Sequence, residues 1–555
     1  MKEIDRSAKV RSRFLRSARL DAVDAGELLD GFVLHETGVR ILSRVIEGII
    51  SGDQRAFTWT GAYGSGKSTL ALYLTKLLAS KPKDRIKLKP TTKGSSSGFT
   101  QLVSKIGDGT KPWLVVSIVG QKSNVEDTIR NELSQAIGTK VDSENSIVDV
   151  INDALNHASK KYAGLLVVID EMGRHLEHAA EGSKSLHVLQ EIAEIFARSE
   201  FPAGFIGLLH QAIHDYLPRT DRLQRQEWEK IQGRFTDLLF GLSIEESISL
   251  ISSAIEGRKP SRDDQELISL CCGSLGSGRL ALNKNLQKHF GGALPIHPYT
   301  AVFLCLVARQ RFGQNERSLF SFLASSEPAG LQEYARSTDK GKADYYTADL
   351  FFDYLQINVG RSIAAVEGLG QWWSDAEECV IRAEHIDDVT GSIVKVISLA
   401  EVFGRSINLV ATKQFLITAL PQYRENEISK ALKKAEEKSI IEFRQFKGGY
   451  ALTLGSDIDL DSELAKLRAN MTIDDIDIDF ASFANLKPVV AKQHYHKTGT
   501  QRYFDIRIAS LLRLNDEKLE PLSPFFDGAF LLLLDDRSEV EGELIDAQTA
   551  KKLIG

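Results

Sequence analysis

The first half of the chain alternates short apolar runs with stretches of helical spacing. Five runs are almost continuously apolar, as expected for strands that are buried on both faces of a parallel sheet. These runs are RAFTWTG (55–61), WLVVSIVG (113–120), GLLVVIDE (164–171), AGFIGLLHQ (203–211) and FTDLLFGL (235–242). Strands that alternate with helices predict an α/β layer fold.

Helical spacing also dominates residues 1–50 and, from residue 243 to about 400, most of the middle of the chain. Gly52 ends the helix that precedes the first strand. The apolar positions on one face of that helix are Val39, Leu42, Ile46 and Ile49.

Residues 425–438 suit a helix that carries four lysines, and the sequence IIEFRQFKGGYALT after it predicts a two-stranded hairpin around a glycine pair. A helix followed by such a wing is typical of a winged-helix module, with SINLVATKQFLITALP (406–421) as its first helix. Further on, VVAKQHYHKTGTQRYFDIRI and FFDGAFLLLLDD predict strands, the first with an exposed face of alternating basic and aromatic residues. The four lysines are Lys430, Lys433, Lys434 and Lys438.

These patterns divide the chain into five regions. They are a basic arm (1–34), an α/β core (35–242), a helical lid and helical region (243–400), a winged-helix module (401–460) and a strand-rich C-terminal region (461–555). The last region has few helices to cover its strands. We therefore expect that it continues beyond Gly555 or docks on a partner protein.

Composition narrows the class of protein. The chain has 555 residues, of which 43% are hydrophobic and 26% charged, a balance expected of an ordinary soluble protein. Because its net charge is -6, any nucleic-acid contact needs a local basic patch. The four cysteines form no CxxC pair, which argues against a zinc site or a disulfide framework and favours a cytoplasmic protein. No apolar run reaches about 18 residues, so we expect no membrane span. For the basic arm, a solvated helix is favoured over an arm that contacts phosphates.

The stretch GAYGSGKST (61–69) meets the pattern G-x-x-x-x-G-K-[ST], between a predicted strand and a predicted helix. In such a P-loop the backbone amides surround the β-phosphate of a nucleotide, the lysine bridges the β- and γ-phosphates, and the hydroxyl that follows it binds Mg²⁺. The residues predicted to hold ATP are Gly61, Gly64, Ser65, Gly66, Lys67, Ser68 and Thr69.

The strand GLLVVIDE delivers two carboxylates at its end, in the manner of a Walker B motif. Asp170 is predicted to hold Mg²⁺ together with Ser68, and Glu171 to orient and polarise the attacking water. With the P-loop, this pair predicts hydrolysis of a nucleoside triphosphate rather than binding alone.

Two more residues are candidates for the same site. His210 stands at the end of the fourth run, and Gln211 is the second choice. His210 would lie between the tips of the first and third strands, near the γ-phosphate. A purely structural histidine is an equal alternative. Arg234 precedes the last run, where an arginine can reach the γ-phosphate of a neighbouring subunit. It predicts a homo-oligomer, against the alternative of a surface arginine that caps a helix.

In this order, the motifs resemble the AAA+ superfamily over residues 35–290, on the branch of origin-recognition initiators and STAND ATPases. The resemblance implies a five-stranded core in which the Walker B strand lies beside a central first strand, followed by a helical lid. It also implies a sensor arginine at the start of a lid helix, which would be Arg279; an arginine at a helix start that faces solvent is an equal alternative. Looser similarity, over residues 170–179 and 294–323, is to large ATPases of bacterial antiviral defence clusters. His175 and His178 are interpreted as residues of a solvated helix rather than as metal ligands.

The fold class predicted is thus an α/β P-loop NTPase core with a five-stranded parallel sheet, a helical lid, a winged-helix module and a partial α/β C-terminal region. The predicted function is an oligomeric, Mg²⁺-dependent ATPase that acts on DNA through the winged helix, or on a partner protein, in antiphage defence. The alternative is a slow ATP-dependent signalling switch that recruits an effector. Acidic residues on the lysine-bearing helix leave DNA and protein equally open as its partner.

Overall fold

The computed structural model describes residues 8–14, 20, 29, 32–52, 54–62, 64–85, 88, 100–101, 104–106, 111–139, 146–181, 186–217, 222–276, 284–310, 319–336, 344–366, 368–453, 488–510 and 522–534. The chain divides into two compact units, Met1–Gly455 and Ser456–Gly555.

The described strands of the first unit form a five-stranded sheet, a hairpin and one short pair. They are β1 (Lys9–Val10), β2 (Ala56–Thr60), β3 (Leu114–Val119), β4 (Leu165–Asp170), β5 (Ala203–Leu209), β6 (Thr236–Leu239), β7 (Ile255–Glu256), β8 (Ile441–Arg444) and β9 (Gly449–Leu452). Strands β2 to β6 make the five-stranded sheet, with every neighbouring pair parallel. All five apolar runs predicted as strands are confirmed.

The order in the sheet is β3-β4-β5-β2-β6. The expectation that the Walker B strand lies beside the first strand is wrong, because β5 lies between β4 and β2. The placement of His210 at the end of a strand between those two is confirmed by the same order.

Helices cover both faces of the sheet and continue through the lid. In the first half they are α1 (Glu36–Ser51), α2 (Lys67–Ala79), α3 (Pro82–Arg85), α4 (Val125–Ile137), α5 (Ile147–Lys161), α6 (Gly173–Glu181), α7 (His187–Arg198) and α8 (Arg222–Gln232). After the sheet come α9 (Ile244–Ala254), α10 (Arg262–Gly276), α11 (Lys284–Gly292), α12 (Pro298–Val307), α13 (Leu319–Ala324), α14 (Leu331–Arg336), α15 (Ala348–Asn358), α16 (Gly360–Ala364), α17 (Gly370–Glu384), α18 (Asp388–Val402), α19 (Lys413–Ala419) and α20 (Glu425–Glu437). No helix in these ranges is long and apolar enough to cross a membrane.

Alternate residues of β4 enter two different cores, which explains why this strand is apolar throughout. Leu165, Val167 and Ile169 pack with the core that includes α4, α5 and α7. Leu166 and Val168 pack with the core that includes α1 and α2. Buried contacts on both faces fix the register of the strand, and with it the position of the acidic pair at its end.

The N-terminal residues differ from the prediction of a helix. Lys9–Val10 form a short antiparallel strand with Ile255–Glu256, and the Arg11 backbone amide donates to the carbonyl of Ala254 at 2.9 Å. A 3-10 helix, Ser12–Phe14, follows. The described part of the basic arm is therefore paired with the segment after α9 rather than helical. The helix predicted before β2 is confirmed, and Gly52 caps it with a φ of 83°.

The lid helices and the following helix–hairpin segment share a single apolar core, which extends from Ile244 to Leu452. The lysine-bearing helix is α20, and the antiparallel pair β8–β9 is the predicted wing. A bridge between Ala411 and Tyr450 adds a third strand-like contact to the hairpin. Helices α19 and α20 and this hairpin follow one another in the order expected for a winged-helix module.

The second unit contains a three-stranded sheet, with β10 (Val489–Val490) antiparallel to β11 (Tyr503–Ser510), and β11 parallel to β12 (Gly528–Leu534). Helix α21 (Lys492–Thr498) lies between β10 and β11. The strands predicted in this region are confirmed at β10, β11 and β12. The predicted exposed strand face is wrong for the basic and aromatic residues KQHYHK, because they form this helix. Residues 535–555 lie outside the described ranges.

Candidate active site

The carboxyl ends of three neighbouring strands bring the predicted site residues to one edge of the sheet. The glycine-rich loop follows β2, Asp170 ends β4, and His210 follows β5. Because these strands are parallel, their ends meet at the same edge, which is where open α/β sheets bind ligands.

The loop passes directly into α2. Gly64 and Gly66 have φ angles of 68° and 97°, in the left-handed region that favours glycine. The first amides of a helix have no partner within the helix, and because Gly66 caps α2, no capping side chain accepts from them. These amides and the positive end of the helix dipole attract an anion such as a phosphate. Thr69 is the third residue of α2, and Tyr63 lies outside the described residues.

The side chain of Lys67 is buried, with 5% of its surface exposed, and points into the loop. Its Nζ donates to the carbonyl oxygens of Gly61 and, at 2.8 Å, of Ala62. Backbone carbonyls are neutral partners, so a phosphate that enters the loop can replace them with a stronger, charge-assisted bond.

Ser68 and Asp170 are in direct contact, with the serine Oγ donating to Asp170 Oδ1 at 3.0 Å. Asp170 also accepts the backbone N–H of Glu171 at 3.0 Å. Burial raises the pKa of Asp170 and outweighs these two hydrogen bonds, which lower it. A hydroxyl and a carboxylate oxygen at this distance fit the oxygen ligands that Mg²⁺ takes beside the phosphates of a nucleotide.

Glu171 occupies the turn between β4 and α6 with a φ of 52°, a conformation that is uncommon for non-glycine residues and enriched at functional sites. Its Oε2 lies 2.7 Å from Nε of Arg174, and its side chain is 37% exposed. Glu171 therefore stands at the same edge as Ser68 and Asp170, engaged by an arginine one helical turn away.

His210 and Gln211 differ in what they contact. His210 Nδ1 lies 3.5 Å from Lys67 Nζ, and its backbone N–H donates to the hydroxyl of Tyr216 at 3.3 Å. Gln211 donates instead to the backbone carbonyl of Asp215. The geometry brings His210 to the P-loop lysine and turns Gln211 toward a neighbouring loop.

Arg234 lies at the opposite edge of the sheet. It precedes β6, whose residue Thr236 pairs with Phe57 near the start of β2. At about 3.3 Å per strand residue, the four residues from Phe57 to Gly61 alone put about 13 Å of sheet between the level of Thr236 and the P-loop, and Arg234 comes two residues before Thr236. Its guanidinium lies 3.5 Å from Glu194 and its side chain is 54% exposed. Within this chain, Arg234 does not join the site. Arg279 lies outside the described residues.

The interpretation of His175 as a residue of a solvated helix is wrong. His175 is 1% exposed, and its Nδ1 lies 2.8 Å from the carbonyl oxygen of Ser123, which fixes helix α6 against the loop after β3. His178, on the same helix, is half-buried. Among the described residues, no group of three or more His, Cys, Asp or Glu side chains is arranged to hold a metal ion.

Sequence reasoning missed two residues of this edge, Arg174 and Tyr216. Each acts through a contact formed only by folding, one with Glu171 and the other with His210. Gly173 was the available signal, because a glycine at a helix start beside an acidic pair indicates a close approach of another group.

A family model described as an AAA domain matches residues 50–211. This range contains the P-loop, the acidic pair and His210, and ends at Gln211. This part of the chain is therefore similar to an AAA domain, in agreement with the order of its motifs. No curated protein matches the chain.

Three solved structures are similar to parts of the chain at low identity. They are Cdc6p from Pyrobaculum aerophilum (12% identity, TM-score 0.31, covering 83% of this chain and 98% of that one), the Aeropyrum pernix ORC1 protein in complex with DNA (13%, 0.29, 81% and 96%), and Drosophila ORC bound to DNA (10%, 0.32, 81% and 95%). At these low identities and scores the likeness carries no weight for the site or the function.

Proposed function

We propose that the chain binds ATP with Mg²⁺ at the loop 61–69 and hydrolyses it. The observation that supports this most directly is the assembly of Lys67, Ser68 and Asp170 at one edge of the sheet, with Ser68 Oγ 3.0 Å from the aspartate. A glycine-rich turn that only resembled a P-loop by chance has no reason to bring its hydroxyl to a buried carboxylate from another strand.

Each residue then has a separate task. Lys67 and the first amides of α2 hold the β- and γ-phosphates, and Ser68 and Asp170 hold the metal. When bound, Mg²⁺ neutralises charge that develops on the phosphate oxygens. Glu171 orients the attacking water and accepts its proton, which requires that its carboxylate leave Arg174. His210, beside Lys67, contacts the γ-phosphate.

The experiment that tests hydrolysis compares Glu171→Gln with Glu177→Gln, which removes an exposed carboxylate on the same helix. We expect Glu171→Gln to bind ATP as tightly as the wild type while its turnover falls by roughly a hundredfold or more. Glu177→Gln keeps the wild-type rate. Equal turnover of the Glu171 variant and the wild type would remove Glu171 from the catalytic role.

We further propose that the active form is a homo-oligomer in which Arg234 completes the site of the neighbouring copy. Its exposure and its distance from the site of its own chain support an action in trans. Arg234→Ala should bind ATP but lose hydrolysis by roughly a hundredfold or more. Mixing it with Glu171→Gln, which is inactive for a different reason, should restore part of the activity. An interface in which the Arg234→Ala copy supplies the site and the Glu171→Gln copy supplies the arginine has both residues intact. No recovery on mixing would contradict the shared site.

We propose DNA as the partner of the winged helix. Lys430 and Lys433 are exposed on α20, whereas Lys434 is held by Asp387 at 2.6 Å. At the tip of the wing, Phe446 is 82% exposed and next to Lys447. Phosphate contacts by such lysines predict salt-sensitive binding. Replacing Lys430 and Lys433 with glutamate should abolish the binding of double-stranded DNA, while the same replacement at Lys160 and Lys161, at the end of α5, leaves it unchanged.

The signalling switch is the alternative to a DNA-dependent ATPase. Stimulation of turnover by double-stranded DNA favours the first proposal, and slow, DNA-independent turnover with ATP-dependent assembly favours the switch. The exposed glutamates Glu425, Glu427 and Glu437 on α20 support a protein partner in that case. A role in antiphage defence rests on the sequence resemblance alone and stays a prediction.

A further inference from the structure

The turn after Glu171 is attached to the end of β5 by two contacts. The backbone N–H of Met172 donates to the carbonyl of Leu208 at 3.1 Å. A Cβ added to Gly207 would lie 2.4 Å from the sulfur of Met172, so the thioether packs directly against the strand backbone. The segment that follows the catalytic carboxylate is thus bound to the strand that ends in His210.

A second pair of contacts continues this connection through Tyr216, which ends the 3-10 helix Ile213–Tyr216. A Cβ added to Gly173 would lie 2.3 Å from the hydroxyl of Tyr216, so the first residue of α6 touches the tyrosine ring. The same hydroxyl accepts the backbone N–H of His210 at 3.3 Å. His210 Nδ1 in turn lies 3.5 Å from Lys67 Nζ.

We infer that Tyr216 is a positioning residue, which sets the place of His210 beside Lys67 and couples it to the start of helix α6. The inference rests on the proposed function, because it assigns the purpose of this placement to nucleotide hydrolysis. Tyr216 acts through His210 and through Gly173. Its ring leaves no room for a side chain at position 173.

The coupling follows from the order of the contacts along the chain. Glu171 lies two residues before Gly173, and release of its carboxylate from Arg174 involves the first turn of α6. A shift of that turn presses on or withdraws from the Tyr216 ring, and the tyrosine hydroxyl holds the backbone of His210. Because such a coupling is reciprocal, occupancy of the phosphate site beside Lys67 and His210 also acts on the turn that carries Glu171.

The first test removes only the hydroxyl, with Tyr216→Phe, which keeps the ring against Gly173. Loss of one hydrogen bond predicts that kcat falls by about three- to tenfold, while the Kd for ATP changes by less than about twofold. Tyr162→Phe is the matched control, because Tyr162 follows α5 and lies before the amino end of β4, at the far edge of the sheet. It should leave kcat unchanged. A Tyr216→Phe variant with the kcat of the wild type would overturn the positioning role.

The second test changes Gly173, which contacts the Tyr216 ring. Gly173→Ala places a methyl group against Tyr216 and should lower kcat by about tenfold, whereas in a Tyr216→Ala background the methyl has room and should add less than about twofold. Equal effects of the alanine in both backgrounds would show that Gly173 acts independently of the tyrosine and would contradict the coupling.

A readout without hydrolysis separates this inference from the proposed function. In histidine-labelled protein, the imidazole NMR signal that disappears in His210→Gln identifies His210. Tyr216→Phe and Gly173→Ala should both shift that signal, and Tyr162→Phe should not. If the wild type shows no ATP hydrolysis, the proposed function fails, and a shifted His210 signal still supports the placement. An unshifted signal in both variants refutes it.

Discussion

The phosphate edge is the end of the sheet at which Lys67, Ser68 and Asp170 meet. The phosphate edge and the lid joint both bury charged or titratable side chains, but these side chains have different partners in the two regions. We define the lid joint as Arg258, Asp264, Tyr345, His297 and Thr418. At the phosphate edge, Lys67 donates to backbone carbonyls and Asp170 accepts from a hydroxyl and an amide. At the joint, a carboxylate and a guanidinium are paired directly.

Asp264 shows how completely the joint satisfies its charge. Its two oxygens accept both Nη groups of Arg258, the hydroxyl of Tyr345 at 2.6 Å, and the amide and hydroxyl of Ser261, both at 2.7 Å. Burial opposes ionisation of this carboxylate, but the hydrogen bonds prevail and hold the pKa of Asp264 well below its ordinary value. At the phosphate edge, by contrast, burial prevails and the pKa of Asp170 is raised.

The difference separates a structural from a functional use of buried charge. A carboxyl group whose pKa is lowered by its partners adds stability at neutral pH, whereas a carboxyl group whose pKa is raised carries an incompletely compensated charge. Such a group gains from the arrival of a metal ion or a ligand, which is why raised pKa values collect at active sites. The comparison predicts that substitutions at the joint change folding and that substitutions at the phosphate edge change binding.

The largest expected effect is that of Asp264→Asn, which leaves Arg258 buried without its carboxylate. Removing one partner of a buried ion pair lowers the free energy of unfolding by about 3–5 kcal/mol. Asp263→Asn, at the exposed neighbouring position on α10, should change it by less than about 0.5 kcal/mol. Denaturant unfolding of both variants measures the difference. Equal stability of the two would show that the ion pair contributes nothing, and the contrast between the regions would be lost.

Lys67→Ala is expected to act on binding and to leave folding intact. In the wild type, MgATP at about a hundred times its Kd stabilises the chain by about 2.7 kcal/mol, and this gain should vanish in the variant. Without nucleotide the two proteins should unfold at similar temperatures, because the substitution removes only hydrogen bonds from Lys67 to neutral backbone carbonyls. Lys76→Ala, exposed later on α2, should keep the nucleotide-induced shift. Strong destabilisation of the Lys67 variant without nucleotide would assign this lysine a structural role.

Much of the phosphate edge could be predicted from the sequence because its residues follow short apolar strands in a fixed spacing. The loop 61–69 and the pair Asp170–Glu171 each stand at the end of a strand whose pattern is unambiguous. A parallel sheet then brings strand ends together whatever the order of its strands. The order itself could not be predicted from one strand at a time, which is why the place of β4 beside β2 was wrong.

Contacts across distant segments could not be predicted either. Tyr216 lies in a short 3-10 helix without periodicity, and its role depends on the approach of Gly173 from another element. The same holds at the N-terminus, where the pattern of Lys9–Val10 is compatible with a helix and the pairing with β7 decides for a strand. His175 was placed on the right helix, but only packing against Ser123 made it a buried residue.

The smallest expected effect concerns His297, at the start of α12. Its Nδ1 accepts the backbone N–H of Tyr299, its Nε2 donates to the carbonyl of Thr418, and burial lowers its pKa to about 3. The unfolded chain binds this proton at its ordinary pKa of about 6.5, so the unfolded state takes up more protons between the two values. Stability due to His297 is therefore complete above pH 6.5 and is lost as the pH falls toward 3, by at most about 1.4 kcal/mol per pH unit.

His297→Asn keeps a side-chain acceptor at the start of α12 and cannot take up the proton. Between pH 6 and pH 4.5 its stability should depend on pH less steeply than that of the wild type. The difference in slope should correspond to at most one proton taken up on unfolding. Part of the slope should persist, because burial also lowers the pKa of His35, to about 4. Urea unfolding of both proteins at several pH values measures the two slopes. Parallel slopes would mean that His297 takes up its proton in the folded chain, and that solvent reaches the imidazole at the joint.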